Sequence, residues 1–163
     1  MDVLEVYERI PTARYCSGCH ACAIRCSGGV PASDVEWRRV RDYLRHEMSP
    51  IDVARLLHED KSHTIGDGWA IEFCPLYDTR RRRCAVYPVR PLVCRLLGFV
   101  EWMPCPIERR LPILADGVLL MREYAAETLR TLPEWLEHNP LTWDRHPFDH
   151  SDEPHFEVEA ANG

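Results

Sequence analysis

Eight cysteines stand out in the 163 residues, and they fall into two sets. Cys16, Cys19, Cys22 and Cys26 form a C-x2-C-x2-C-x3-C run. Two residues between thiolates let one tight loop place three sulfurs around one face of a cubane. The same run occurs in bacterial ferredoxins, where its last cysteine serves the other cluster. Here Ser27 follows Cys26 where the ferredoxin run has proline, and no second copy of the run exists. A two-cluster ferredoxin is therefore not expected. The second set is Cys74, Cys84, Cys94 and Cys105, spaced too widely to form a knuckle of their own. They can act only by converging on a shared centre. Buried cysteine as a small hydrophobe is the bland alternative for each, and four-thiolate zinc is the rival chemistry.

Composition narrows the context. With 45% hydrophobic and 28% charged residues, the chain reads as an ordinary globular domain. A chain of this length needs no disulfide staples to fold. No apolar run approaches the roughly 18 residues of a membrane span. The opening MDVLEVYERI lacks the basic and apolar regions of a signal peptide, so a cytoplasmic, reducing setting is expected. Clustered cysteines there point to metal or redox chemistry. A net charge of −6 argues against nucleic acid as a partner. The run Arg80–Arg83 reads as a solvated turn.

The elements that must hold the cysteines can be read from pattern. A first short helix or turn ends at Pro11. A helix is expected at about 33–48, with Ser33 and Glu36 at capping-box spacing and Trp37, Val40, Leu44 and Met48 on one face. Pro50 opens a second helix through His58. His63 to Gly68 reads as a turn. Residues 69–73 and 84–87 read as strands that pair as a hairpin across the arginine run. Pro91 opens a short helix through Leu97. The longest helix is expected over 113–131, with Leu114, Val118, Met121, Ala125 and Leu129 on its stripe, followed by a short turn at Trp135 and Leu136. The expected fold is mainly α with a small β-hairpin, an irregular single domain organised by metal. Residues 1–140 form that domain and 141–163 an acidic, His-rich tail.

Two further stretches tie these residues to a known family. The first run resembles the CxxCxxCC signature of the YkgJ-type cysteine-cluster proteins, although Ala23 stands where the signature has its second adjacent cysteine. More specific is Cys74-Pro75-Leu76 followed by Cys84-Ala85-Val86-Tyr87-Pro88-Val89-Arg90-Pro91-Leu92-Val93-Cys94-Arg95. It is similar to the family pattern CPFL … C-x-[IV]-Y-x-x-R-P-x-x-C-R. The resemblance spans roughly residues 14 to 106 and implies zinc or iron chelation by the cysteines. The family includes the cysteine-rich part of flagellin lysine N-methylases. This chain has no glycine-rich strand–turn–helix for a nucleotide-like cofactor, so the resemblance implies chelation rather than methyl transfer.

Other groups are weighed beside the thiolates. Arg90 and Arg95 flank Cys94, and positive charge near sulfur raises a cluster's potential, so both are candidate cofactor-binding residues. His20 lies inside the first run and is a possible ligand. His146, His150 and His155 read as solvated tail. Trp37, Trp69, Trp102, Trp135 and Trp143 read as core or interface, with Trp102 placed to shield a cluster near Cys105. No nucleophile elbow, P-loop or dinucleotide fingerprint occurs, so enzyme activity is left open. The expectation is an iron–sulfur protein, with one or two clusters of the 4Fe-4S type, that transfers electrons or serves a redox enzyme as accessory subunit. It would work with a protein partner, a redox enzyme or carrier. The alternatives are a structural zinc module for protein binding and a cluster-bearing subunit of a modification enzyme.

Overall fold

The computed structural model describes residues 2–10, 22, 29–108 and 111–143. Cys16, Cys19, Cys26, His20 and the tail histidines lie outside them. The described elements are α1 (Val3–Arg9), α2 (Asp34–His46), α3 (Pro50–His58), β1 (Ser62–Ile65), β2 (Trp69–Glu72), β3 (Tyr77–Asp78), β4 (Arg83–Cys84), a 3-10 turn (Tyr87–Val89), α4 (Leu92–Leu96), α5 (Gly117–Ala125) and α6 (Leu132–His138). The protein is mainly α, as its pattern predicts, with two small antiparallel hairpins where one was expected. No described helix is long and apolar enough to cross a membrane.

Helix α2 forms where the capping box and apolar stripe place it. Ser33 donates its N–H and its hydroxyl to Glu36 Oε2, at 2.8 and 3.0 Å. Trp37, Val40 and Leu44 are buried. Pro50 starts α3, where its missing N–H costs nothing, and Ser49 Oγ accepts from Asp52 N–H.

The strand pairing differs from the expected one. Trp69–Glu72 pairs with Ser62–Ile65, which the glycine-rich sequence around Gly66 had marked as a turn. Gly66, Asp67 and Gly68 alone make the turn, all at positive φ. The second hairpin pairs Tyr77 with Cys84 and Asp78 with Arg83, so Arg80, Arg81 and Arg82 lie in the expected turn while Arg83 starts β4. Only Cys84 of the segment 84–87 is in a strand, because Pro88 lies in the 3-10 turn that follows.

The helix expected over 113–131 is shorter, Gly117–Ala125. Its buried face is Gly117, Leu120 and Tyr124, while Val118 is 64% exposed. Leu114 and Leu129 still pack on the core, but from irregular chain at either end. Trp135 and Leu136 lie in a full helix, α6, started by a capping box from Thr131 and Glu134.

Two apolar clusters result. One joins α1, α4 and α5 through Val3, Val6, Leu92, Leu96, Leu120 and Tyr124. The other joins α2, α3, the second hairpin and α6 through Trp37, Val40, Leu56, Leu76, Val86 and Trp135. Leu141 and Trp143 pack against the second cluster. Trp69 and Trp102 are largely exposed.

Candidate metal centre

The cysteines are positioned by short-range chemistry around rigid supports. Cys74 leaves β2 just after Phe73, whose N–H donates to the Lys61 carbonyl at 2.9 Å. Tyr77 N–H donates back to the Cys74 carbonyl at 2.8 Å, closing a turn over Pro75. Cys84 ends β4 opposite Tyr77, and Ala85 N–H donates to Leu76 O at 2.9 Å.

A buried ionic network fastens this hairpin to α3. Asp78, 1% exposed, accepts from Arg81 N–H at 2.8 Å and from the Arg55 guanidinium at 3.0 Å. Arg55 also reaches Glu59 at 3.0 Å. Glu59 in turn accepts from Thr79 N–H at 3.0 Å and from Lys61, the chain's only lysine, at 2.5 Å. Lys61 donates as well to the Tyr77 carbonyl. Burial alone pushes the Asp78 carboxyl up, but the Arg81 N–H and the Arg55 charge outweigh it and hold it below the usual range. Glu59 is likewise held down, its burial outweighed by Lys61 and Thr79.

Cys94 is set by α4. Pro91 caps that helix, and its carbonyl accepts from Cys94 N–H at 3.0 Å and Arg95 N–H at 3.1 Å. The helix start is anchored to α2, since Leu92 N–H donates to Glu36 Oε1 at 2.6 Å. Glu36 is fully buried and accepts four more bonds, two from Ser33, one from Tyr7 at 2.7 Å and one from Tyr124 at 2.7 Å. Burial and then the Glu36 charge push both phenols far up, so both remain donors.

The two arginines beside Cys94 have different surroundings. Arg95 donates to the carbonyls of Arg90 at 2.9 Å and Pro88 at 2.7 Å, and its guanidinium stacks 4.1 Å from the Tyr7 ring centre. It braces the turn that aims Cys94. Arg90 stacks on Tyr87 at 3.9 Å and lines a cavity.

That cavity, about 60 Å³, is lined by four cysteines. Cys22 from the first set and Cys74, Cys84 and Cys94 from the second all line it. Its remaining walls are mostly apolar and include Trp37, Val86 and Trp135. Among the described residues, no group of three or more His, Cys, Asp or Glu side chains could hold a metal ion. Cys105 lines a second cavity, with Val100 and Ile113. It packs against Gly98, whose φ of +94° and proximity to Cys105 and Leu111 exclude a side chain, and its Sγ accepts from Glu108 N–H at 3.3 Å.

The two tryptophans of the four-cysteine cavity differ. Trp135 Nε1–H donates to the Ala32 carbonyl at 2.9 Å. Trp37 is 2% exposed, and its Nε1–H has no hydrogen-bond partner among the described residues. An unsatisfied buried donor costs about 1–3 kcal/mol, so it calls for an explanation. Four cysteines on a mostly apolar wall are the soft donor set of a thiophilic metal.

Sequence reasoning gave Glu36 only a helix cap and Trp37 only a place in the core, and passed over Asp78 and Lys61. Glu36 was accounted for by its capping box, which uses one of its two oxygens; its other partners lie far away in sequence, at Tyr7, Leu92 and Tyr124.

A small helical domain with thiols of two distant segments around one apolar cavity is a cysteine-cluster domain. The model of the CxxCxxCC family, "Putative zinc- or iron-chelating domain", matches residues 15–115, and the chain belongs to that family. No curated protein and no solved structure matches the chain. Binding of zinc or iron through a cysteine cluster is the property the family carries.

Proposed function

We propose that this protein holds an iron–sulfur centre at the four-cysteine cavity and works in electron transfer, alone or as the accessory subunit of a redox enzyme. The observation that carries the reading is that Cys22 lines the same cavity as Cys74, Cys84 and Cys94. In this reading Cys16, Cys19 and Cys22 of one run, with one cysteine of the second set, are the four ligands of the centre, and Cys26 with the remaining cysteines completes a second site. Three close cysteines and a remote fourth are the ligand pattern of a cubane more than of zinc. Bound there, such a centre supplies one-electron transfer. The chain's own residues do the rest. Trp37, Val86 and Trp135 exclude water, which sets the local dielectric. Arg90 brings positive charge to the cavity wall and favours the reduced form. Arg95 fixes the turn before Cys94. A cytoplasmic setting and a protein partner that exchanges the electron, served by the acidic C-terminal tail, complete the reading.

The test is anaerobic purification of the full chain with iron, sulfide and zinc analysis and a visible spectrum. The expected result is stoichiometric iron and sulfide with broad visible charge-transfer absorption. Stoichiometric zinc without iron replaces this reading with a structural zinc module. A chain that takes up neither metal overturns both.

A further inference from the structure

Three arginines gather where α1, α2 and α4 meet. Two guanidiniums share the Tyr7 ring: Arg39 of α2 lies 5.1 Å from its centre and Arg95 of α4 lies 4.1 Å from it. Arg90 adjoins them, since its carbonyl accepts from Arg95 Nε at 2.9 Å, and its own guanidinium stacks on Tyr87. All three residues are half-buried. Arg9, Arg38, Arg55 and Arg81 pair with acids, whereas none of these three forms an ion pair among the described residues. Glu36, which holds the Tyr7 hydroxyl, is spent on its five hydrogen bonds and pairs with none of them. Burial works against the Arg95 cation; Tyr7 favours it, and the like charges of Arg90 and Arg39 oppose it. Contact with ring faces offsets part of that repulsion but neutralises no charge. Donors also remain to be used. Arg95 gives Nε and one Nη to carbonyls, while Arg39 and Arg90 make no hydrogen bond to a described residue. The group that completes such a cluster is an oxyanion with more than one negative charge. Phosphate is that group, and the planar guanidinium fork matches its oxygens two at a time.

We propose that Arg39, Arg90 and Arg95 form a phosphate-binding site beside Tyr7, which takes the free ion or the phosphate group of a larger molecule. The bond from Leu92 N–H to Glu36 fixes α4 against α2, so the helices that carry Arg39 and Arg95 are already in place. The inference does not depend on metal binding. The rival occupant is the chain's own acidic segment, because beyond the described residues Asp and Glu occur only within 144–163.

The experiment uses the full chain with nitrogen-15 arginine, titrated at constant ionic strength with inorganic phosphate and with glycerol phosphate, with chloride as the reference anion. Phosphate is expected to move the Nε–H signals of Arg39, Arg90 and Arg95 saturably, at one phosphate per chain. Arg39→Gln and Arg90→Gln should each weaken binding by about tenfold or more, the effect of one hydrogen bond to a charged group. Arg80→Gln, in the exposed turn, should leave binding unchanged. Thermal melting of each variant controls for folding, and the native-chain signals decide where a variant does not fold. Equal binding of the two phosphates assigns the site to the free ion, and tighter binding of glycerol phosphate assigns it to a phosphate carried on a larger molecule. Signals that drift without saturating, or binding that Arg80→Gln weakens as much as Arg39→Gln does, overturn the proposal in favour of diffuse charge. Signals that phosphate leaves unmoved, but that move when the acids of 144–163 are changed to Asn and Gln, overturn it in favour of the chain's own carboxylates. Signals that neither change moves overturn it outright.

Discussion

Glu36 and Trp37 are consecutive on α2, yet they serve two regions finished to different degrees. Around Glu36, both carboxylate oxygens are used, by Tyr7, Tyr124, Ser33 and the Leu92 N–H. That region is complete with protein groups alone. Around Trp37, soft nucleophiles gather at an apolar cavity and a buried donor is left over. Buried polar groups in folded proteins are nearly always paired. The first region is thus explained by folding alone, while the sulfurs of the second are of the kind that the family is described as using to chelate zinc or iron. Helix α4 joins the two, since Leu92 touches the first and Cys94 the second.

The strongest way to break the comparison is to empty the finished region. Glu36→Ala leaves the Tyr7 and Ser33 hydroxyls and the Ser33 and Leu92 N–H groups without their acceptor, and Tyr124 with only its longer bond to the Pro31 carbonyl at 3.2 Å. At about 1–3 kcal/mol for each buried donor, the expected loss is about 4–5 kcal/mol or more, which few single substitutions reach. That is much of a domain's total stability. Urea unfolding of the metal-free variant measures it. A loss below about 1 kcal/mol would show that the carboxylate does not organise the fold.

The unfinished region is tested by filling and emptying it. With free metal at a thousandfold its Kd, binding adds about 4 kcal/mol, or about 8–16 °C in melting temperature for a domain of this size. The measurement is anaerobic thermal melting of stripped and reloaded protein under reducing conditions. Equal melting temperatures would mean that the cavity is as complete without metal as the Glu36 cluster, and the contrast would collapse.

Much of this was legible in the residues. The capping pair Ser33 and Glu36 and the stripe Trp37, Val40 and Leu44 define α2 because local rules and burial agree there. Pro50 and Pro91 mark helix starts for the same reason. Helix α5 was less legible. Its periodic apolar residues suggest a face through Val118 and Met121, but the buried face runs one residue earlier, through Leu120 and Tyr124. The Tyr124 hydroxyl must reach Glu36, and that tertiary bond, invisible to periodicity, sets the helix rotation. Strand β1 was hidden because Ser62, His63 and Thr64 are all exposed and show no alternation. For the site, cysteine spacing pointed to convergence of the two sets but could not distinguish Cys105 from its three neighbours in sequence. The fold does so, by seating Cys105 against Gly98.

That separation supplies the finest test. Cys105 and Cys84 are both half-buried thiols of the second set, but they line different cavities. Serine at 105 keeps an acceptor for the Glu108 N–H and adds no bulk against Gly98. Cys105→Ser should therefore change stability by about 1 kcal/mol or less and leave metal content per chain unchanged. Cys84→Ser removes a sulfur from the four-cysteine cavity and should lower metal content. Both are read by metal analysis after anaerobic purification, with denaturant unfolding as the folding control. Metal lost from a folded Cys105 variant and kept by the Cys84 variant would move the centre to the second cavity. Equal loss from both would mean that the thiols of the second set act at one shared site.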